Sequence, residues 1–148
     1  MNYVIKNTSL NTHHCDLLLI RCFDFRFRVS DQQFVEDALG IKDFDLTCLP
    51  APAKRLLENE TQRSLLVADI RRVCQGLHQV KKVLILGHWD CGGYGGSKNF
   101  ADAEQEETTY IQDLQKIREI LKKELSDLEI MVGYSKKVGD NDLEYVML

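Results

Sequence analysis

The stretch Lys82-Val83-Leu84-Ile85-Leu86-Gly87-His88-Trp89-Asp90-Cys91-Gly92-Gly93 sets a short apolar run directly against a glycine-rich turn carrying an imidazole and a thiol. The run Lys82–Leu86 is too short for a helix and reads as a strand buried on both faces. A second run, Asp16–Arg21 (D-L-L-L-I-R), leads in the same way into Cys22-Phe23-Asp24-Phe25-Arg26. Both runs deliver chemistry-bearing residues at their carboxyl ends. In open parallel sheets, ligands bind beyond those ends, where strand order reverses.

The rest of the chain supplies the elements such a sheet needs. Ser30 with Gln33 three residues later resembles a capping box opening a short helix, which Gly40 closes. Asp43–Cys48 alternates like a strand and is ended by Pro50 and Pro52. From about Gln62 to Leu77 a helix is expected, with Leu65, Leu66, Ile70, Val73 and Leu77 close to one face. Glu104–Leu125 is the clearest helix, since Tyr110, Ile111, Leu114, Ile117, Leu121 and Leu125 keep a 3.6-residue period. Leu128–Tyr134 and Leu143–Met147 read as two strands around a hairpin turn in K-K-V-G-D-N-D. The alternation predicts an α/β fold: a mostly parallel four- to five-stranded sheet flanked by helices, antiparallel at its end, in a single domain over residues 1–148.

Composition narrows the function classes. The 148 residues carry a formal charge of −4, which argues against a broad basic face for nucleic acid. Apolar runs such as Leu17–Ile20 and Val83–Leu86 fall far short of a membrane span. The opening M-N-Y-V-I-K lacks the layout of a signal peptide, so a cytoplasmic protein is expected. Five scattered cysteines, an odd number, argue against a disulfide framework.

Reduced thiols leave inert packing or a metal or catalytic site. If the two runs are neighbouring strands, Cys22, His88 and Cys91 converge. Two thiolates and an imidazole suit zinc, and three protein ligands leave a fourth position for water or substrate. The two-residue gap between His88 and Cys91 lets one short turn offer both. Alternating side chains would put Cys22, Asp24 and Arg26 on one side of an extended segment. Arg26 would then hold the Asp24 carboxylate by a bidentate pair. That carboxylate either accepts a hydrogen bond from a metal-bound water or becomes the fourth ligand, and a closed structural zinc has Asp24 as its nearby candidate. Cys15, Cys48 and Cys74 read as core. His13 and His14 precede the first strand and are expected on the surface at its opposite end. His78 is expected to be exposed or to serve a helix C-terminus. The rival reading of Gly87–Gly96 as a phosphate-cradling loop lacks a Lys-Ser or Lys-Thr pair in the required spacing, and Ser97-Lys98 is in the wrong order.

These residues resemble the β-class carbonic anhydrases. That family pairs C-x-D-x-R after one strand with H-x-x-C-G after another, matched here by C-F-D-F-R at 22–26 and G-H-W-D-C-G-G at 87–93. The resemblance implies Cys22, His88 and Cys91 as zinc ligands and Asp24 with Arg26 as a catalytic dyad. It implies reversible hydration of carbon dioxide, with zinc-bound hydroxide oriented by Asp24 as the nucleophile. It further implies either a closed state with Asp24 on zinc or an open one with Asp24 on Arg26, and a homodimer or higher even oligomer.

Three departures from the family pattern bear on function. Phe23 and Phe25 stand where small polar residues are usual, either packing the opposite face or narrowing the pocket. D-L-T-C-L-P-A-P-A-K-R occupies the place of an R-N-A-G-like segment, and 21 residues precede Cys22 where a longer helical arm is usual. Two alternatives follow. One keeps the zinc site but hydrolyses carbonyl sulfide or carbon disulfide, as relatives of this fold do, through an entrance made apolar by Phe23, Phe25 and Trp89. The other is a non-catalytic zinc-binding protein that retains the ligands without the pocket.

Overall fold

In chain order, the computed structural model has strand β1 (Leu17–Arg21), helix α1 (Arg28–Gln33) widening through Phe34–Ala38, β2 (Phe44–Cys48), α2 (Pro52–Glu58) and α3 (Glu60–Asp69) widening through Ile70–Gln75. Then come β3 (Lys82–His88), α4 (Ala103–Glu124), β4 (Glu129–Val138) and β5 (Asp142–Met147). The described residues are 12–148, with Asn2 and Val4. The expectation of a missing N-terminal arm therefore falls largely outside them.

The strands form one sheet in the order β2-β1-β3-β4-β5. The first four are parallel and β5 is antiparallel to β4, as the α/β reading expects. From β1 the chain moves to one side to make β2, then crosses to the other to make β3. Strand order thus reverses between β1 and β3, opening a crevice beyond their carboxyl ends. Cys22 and His88 stand there.

Apolar residues cover both faces of β1 and β3 because alternate side chains point opposite ways. Leu18, Ile20, Val83 and Ile85 pack with Leu56 of α2 and with Leu114, Ile117 and Leu121 of α4. Leu17, Leu19, Leu84 and Leu86 pack on the other side with Val35, Phe34 and Tyr145. All five β1 residues are buried, which explains a run with no polar alternation.

Several expectations shift. Ser30 is not an N-cap: its hydroxyl donates to the Phe27 carbonyl at 3.1 Å from inside α1, which starts two residues earlier. Gly40 does close this segment, at φ +70°. Pro52 opens a helix as well as ending a strand, since its fixed φ and missing N–H cost nothing at a first helical position. Along α3, Leu66, Val67, Ile70 and Cys74 face the core, while Leu65 and Leu77 are exposed. The widened turns from Ile70 shift the helical phase that an ideal period assumes. β4 continues through Val138, so the hairpin turn shrinks to 139–141. Among the described residues, no helix is long and apolar enough to cross a membrane.

Candidate metal centre

Cys22 directly follows β1 and His88 ends β3, and the turn after His88 carries Cys91. One donor atom from each of the three lies within 4.8 Å of the others, and all three residues are buried. The two sulfurs are 3.9 Å apart. With Zn–S bonds of about 2.3 Å, two corners of a tetrahedron stand about 3.8 Å apart, so the thiols fit one ion. The His88 Nδ1–H donates to the Trp89 carbonyl at 2.8 Å, which leaves the Nε2 lone pair free. That Nε2 is buried without a hydrogen-bond partner among the described residues. A buried unpaired acceptor costs about 1–3 kcal/mol, and an ion shared with the thiols would remove that cost. The donor set therefore fits a zinc-type ion.

The thiol–thiol hydrogen bond eases ionisation of Cys22 and pushes Cys91 up. Phe27 packs on the His88 ring with centroids 4.1 Å apart and walls one side of the cluster.

Asp24 stands outside this cluster and belongs to Arg26. Arg26 Nη2 donates to Asp24 Oδ2 at 2.7 Å, and its Nε lies 3.1 Å from both carboxylate oxygens. These bonds hold the Asp24 carboxyl below the usual carboxylate range. The extended segment expected for Cys22, Asp24 and Arg26 does not form. β1 stops at Arg21, Phe25–Phe27 coil into a tight turn, and Asp24 caps it by accepting from the Arg26 N–H at 3.0 Å. The turn brings the guanidinium back over the carboxylate. Phe23 and Phe25 project into solvent, 63% and 83% exposed, so neither packs the opposite face of the strand.

Further residues, to which the sequence reading gives no role, complete the surroundings. Arg26 also bonds Asp90, Nη1 to Oδ2 at 2.9 Å, and so ties the two motif turns together. Asp90 adopts φ +53°, a strained value for a non-glycine residue, and its Oδ1 accepts from the Ser97 N–H at 2.9 Å. Buried Glu106, on the first turns of α4, accepts from the Asp90 N–H at 2.8 Å and from the Tyr110 hydroxyl at 2.7 Å. The same hydroxyl accepts from the Cys91 N–H at 3.2 Å. The i,i+4 spacing of Glu106 and Tyr110 is visible on a helix the sequence itself marks. Their reach to the turn is not. On the β1 side, buried Arg21 pairs with Asp31 at 2.6 Å and donates to the Asp24 carbonyl at 2.8 Å.

The chain after β2 closes over the centre. Ala51 sits at φ +44°, and a Cβ on Gly93 would come 2.4 Å from the Ala51 Cβ, so this approach requires glycine at 93. Between Ala51–Ala53 and the His88 and Cys91 side chains there is a space of only about 10 Å³. That is about the room one water needs.

Residues 12–142 match a protein family described as putative carbonic anhydrase. The chain belongs to that family. Proteins similar to this carbonic anhydrase family member include uncharacterized proteins of Rickettsia conorii and Rickettsia bellii. The first is 29% identical over 132 residues, covering 85% of this chain and 70% of the relative. The second is 30% identical over 132 residues, covering 86% and 80%. Among solved structures, the β-carbonic anhydrase CafA of Aspergillus fumigatus aligns at TM-score 0.47 and 17% identity, over 94% of this chain and 78% of that one. The β-carbonic anhydrase isoform I of Trichomonas vaginalis aligns at 0.43 and 14%, over 99% and 88%.

The remaining histidines and cysteines lie elsewhere. His13 and His14 are exposed at the opposite end of β1, as expected. Cys15, Cys48 and Cys74 are half-buried and not full core residues. Burial, with the Asp45 carboxylate beside it, pushes Cys74 up to about 12. His78 neither lies free nor serves a helix end: its Nδ1 is 2.9 Å from each Asp45 carboxylate oxygen.

Proposed function

We propose that this chain is a zinc-dependent carbonic anhydrase, interconverting carbon dioxide with bicarbonate and a proton. Cys22, His88 and Cys91 hold the zinc in this reading. The observation that carries it is the buried, unpartnered His88 Nε2 grouped with two thiols, beside a carboxylate pinned by a guanidinium. When bound, zinc lowers the pKa of a coordinated water toward about 7, making a nucleophile available at neutral pH.

The chain's own residues do the rest. Asp24, kept ionised by Arg26, accepts a hydrogen bond from the attacking water and turns its free lone pair toward the carbon of carbon dioxide. Arg26 positions that carboxylate, and Asp90 restrains the guanidinium from its far side. The reaction leaves a proton, which passes to buffer. Phe27 and the Ala51–Ala53 segment keep bulk water from the ligands.

An even-numbered homo-oligomer and a cytoplasmic setting belong to the same reading. Edge strand β2 exposes Leu46 at 55%, a surface that pairing would cover, and the free thiols suit a reducing compartment. The test joins zinc content to stopped-flow carbon dioxide hydration on one sample. Hydration well above buffer, lost together with zinc in Cys91→Ala, is expected. Zinc bound at these ligands without hydration would overturn the carbonic anhydrase reading. The carbonyl sulfide or carbon disulfide reading and the non-catalytic reading would then remain, and sulfide release from either compound above a metal-free control separates them.

A further inference from the structure

A second group of donors gathers at the other end of the sheet. Cys15 stands just before β1, Asp45 lies on β2 opposite Leu18, and His78 lies on the turn leading to β3. One ligand atom from each lies within 4.8 Å of the others. The three come from separate parts of the chain, and the backbone holds them in place. The Cys15 N–H donates to the His78 carbonyl at 3.0 Å, and Asp45 is fixed by the β1–β2 ladder.

We propose that Cys15, Asp45 and His78 form a second metal site, for a borderline dication of the zinc type. A thiolate, an imidazole nitrogen and a carboxylate are the donors such ions select over calcium or magnesium, which prefer oxygen alone. His78 Nδ1 faces the carboxylate symmetrically, 2.9 Å from each oxygen. Ligands at about 2.0–2.1 Å on a tetrahedral ion stand about 3.3 Å apart, so the pair need separate by only about 0.4 Å. Binding releases the Cys15 thiol proton to solvent and uses the lone pair of the neutral imidazole. The Cys74 thiol lies against the same carboxylate, and the His13 ring lies near His78, tilted to it with centroids 6.4 Å apart.

Access is built in. All three residues line a solvent-open cleft of about 480 Å³, whereas the space beside His88 and Cys91 is about 10 Å³. Three protein donors leave a fourth position for water from the cleft. An ion here ties together the approaches to β1, β2 and β3, so it acts as a clamp on the amino end of the sheet. It stabilises the folded chain in proportion to its occupancy.

The site is separable from the carbonic anhydrase reading because the two share no residue. The test uses the full chain carrying Cys22→Ser with Cys91→Ser, which removes the thiols of the other cluster. Equilibrium dialysis against Zn2+ is expected to retain one equivalent per chain, and Co2+ to show thiolate-to-metal charge-transfer absorption. Adding Asp45→Asn with His78→Gln should abolish both, and adding Cys15→Ser should remove the absorption. Zn2+ should also raise the melting temperature of the first variant and not of the second. If the Cys22→Ser, Cys91→Ser chain does not fold, the same count is made by placing Cys15→Ser or Asp45→Asn in the otherwise unaltered protein, each expected to lose one equivalent of zinc. No zinc in the first variant when folded, or zinc unchanged by the Cys15, Asp45 and His78 substitutions, would overturn the site. Each of these readouts is independent of hydration activity.

Discussion

The two ends of the parallel sheet carry similar donors and treat them differently. At the carboxyl end, Cys22, His88 and Cys91 are 7%, 3% and 2% exposed, and among the described residues His88 Nε2 has no partner. At the amino end, the Asp45 and His78 side chains keep 24% and 29% exposure and bond to each other. Water can serve the second set, and the histidine and aspartate satisfy one another when no ion is present. Neither remedy reaches the first set. Burial therefore makes the carboxyl-end cluster hard to explain without an occupant, while the amino-end pair is stable with or without one.

That contrast is most directly broken by removing a donor from each end. Cys91→Ala is expected to have the largest effect, abolishing zinc at the carboxyl end and reducing hydration to the buffer rate, read by metal analysis and stopped flow. Asp24→Asn should retain that zinc and lower turnover by about 10²–10⁴-fold, since it removes the group that accepts the water's hydrogen bond. Arg26→Ala should also retain zinc, with a smaller loss of about tenfold or more from misorientation. It should also raise the pH at which the Asp24 carboxylate protonates, read by NMR titration of that side chain. Arg26 depresses the Asp24 pKa, so the wild-type carboxylate persists below the usual range, and its contribution to stability is lost only as pH falls through that lowered value. Without the guanidinium, protonation begins at higher pH.

Gly93→Ala tests the lid over the buried end and should act on folding first. The new Cβ meets the Ala51 Cβ at 2.4 Å, and forced shifts of this kind cost about 1–3 kcal/mol. A melting temperature lower by several degrees is expected in a calorimetric scan. The smallest effect belongs to the amino end. Asp45→Asn should leave kcat and KM for carbon dioxide unchanged, because its side chain bonds His78 at the opposite end of the sheet from the Cys22, His88, Cys91 cluster.

The parts of the fold legible in the sequence are those where burial dictates pattern. Leu17–Ile20 and Val83–Leu86 have to be central parallel strands, and the period from Tyr110 to Leu121 has to face a core. The Cys22, His88, Cys91 grouping follows from strand ends meeting at the reversal of order. Legibility fails where one residue does two jobs or the backbone departs from ideal geometry. Pro52 both ends a strand approach and begins α2, and the wide turns after Ile70 put Leu77 into solvent. The support from Glu106 and Tyr110 is hidden for another reason. Their partners are backbone N–H groups, which carry no sequence signature. His78 gives no sign of its role because its partner Asp45 lies 33 positions away on another strand.

The strand order also sets a schedule. β4 and β5 are joined by a tight turn and can pair as soon as both exist, but β1 must wait for β3. Cys22 and Cys91 are 69 positions apart. Closing a chain segment of that length costs about 4 kcal/mol beyond a constant, and only long-range packing repays it. The carboxyl-end cluster therefore cannot assemble until β1 and β3 have paired. During synthesis Cys22 leaves the ribosome long before its partners exist. Its thiol is buried only once β3 docks beside β1.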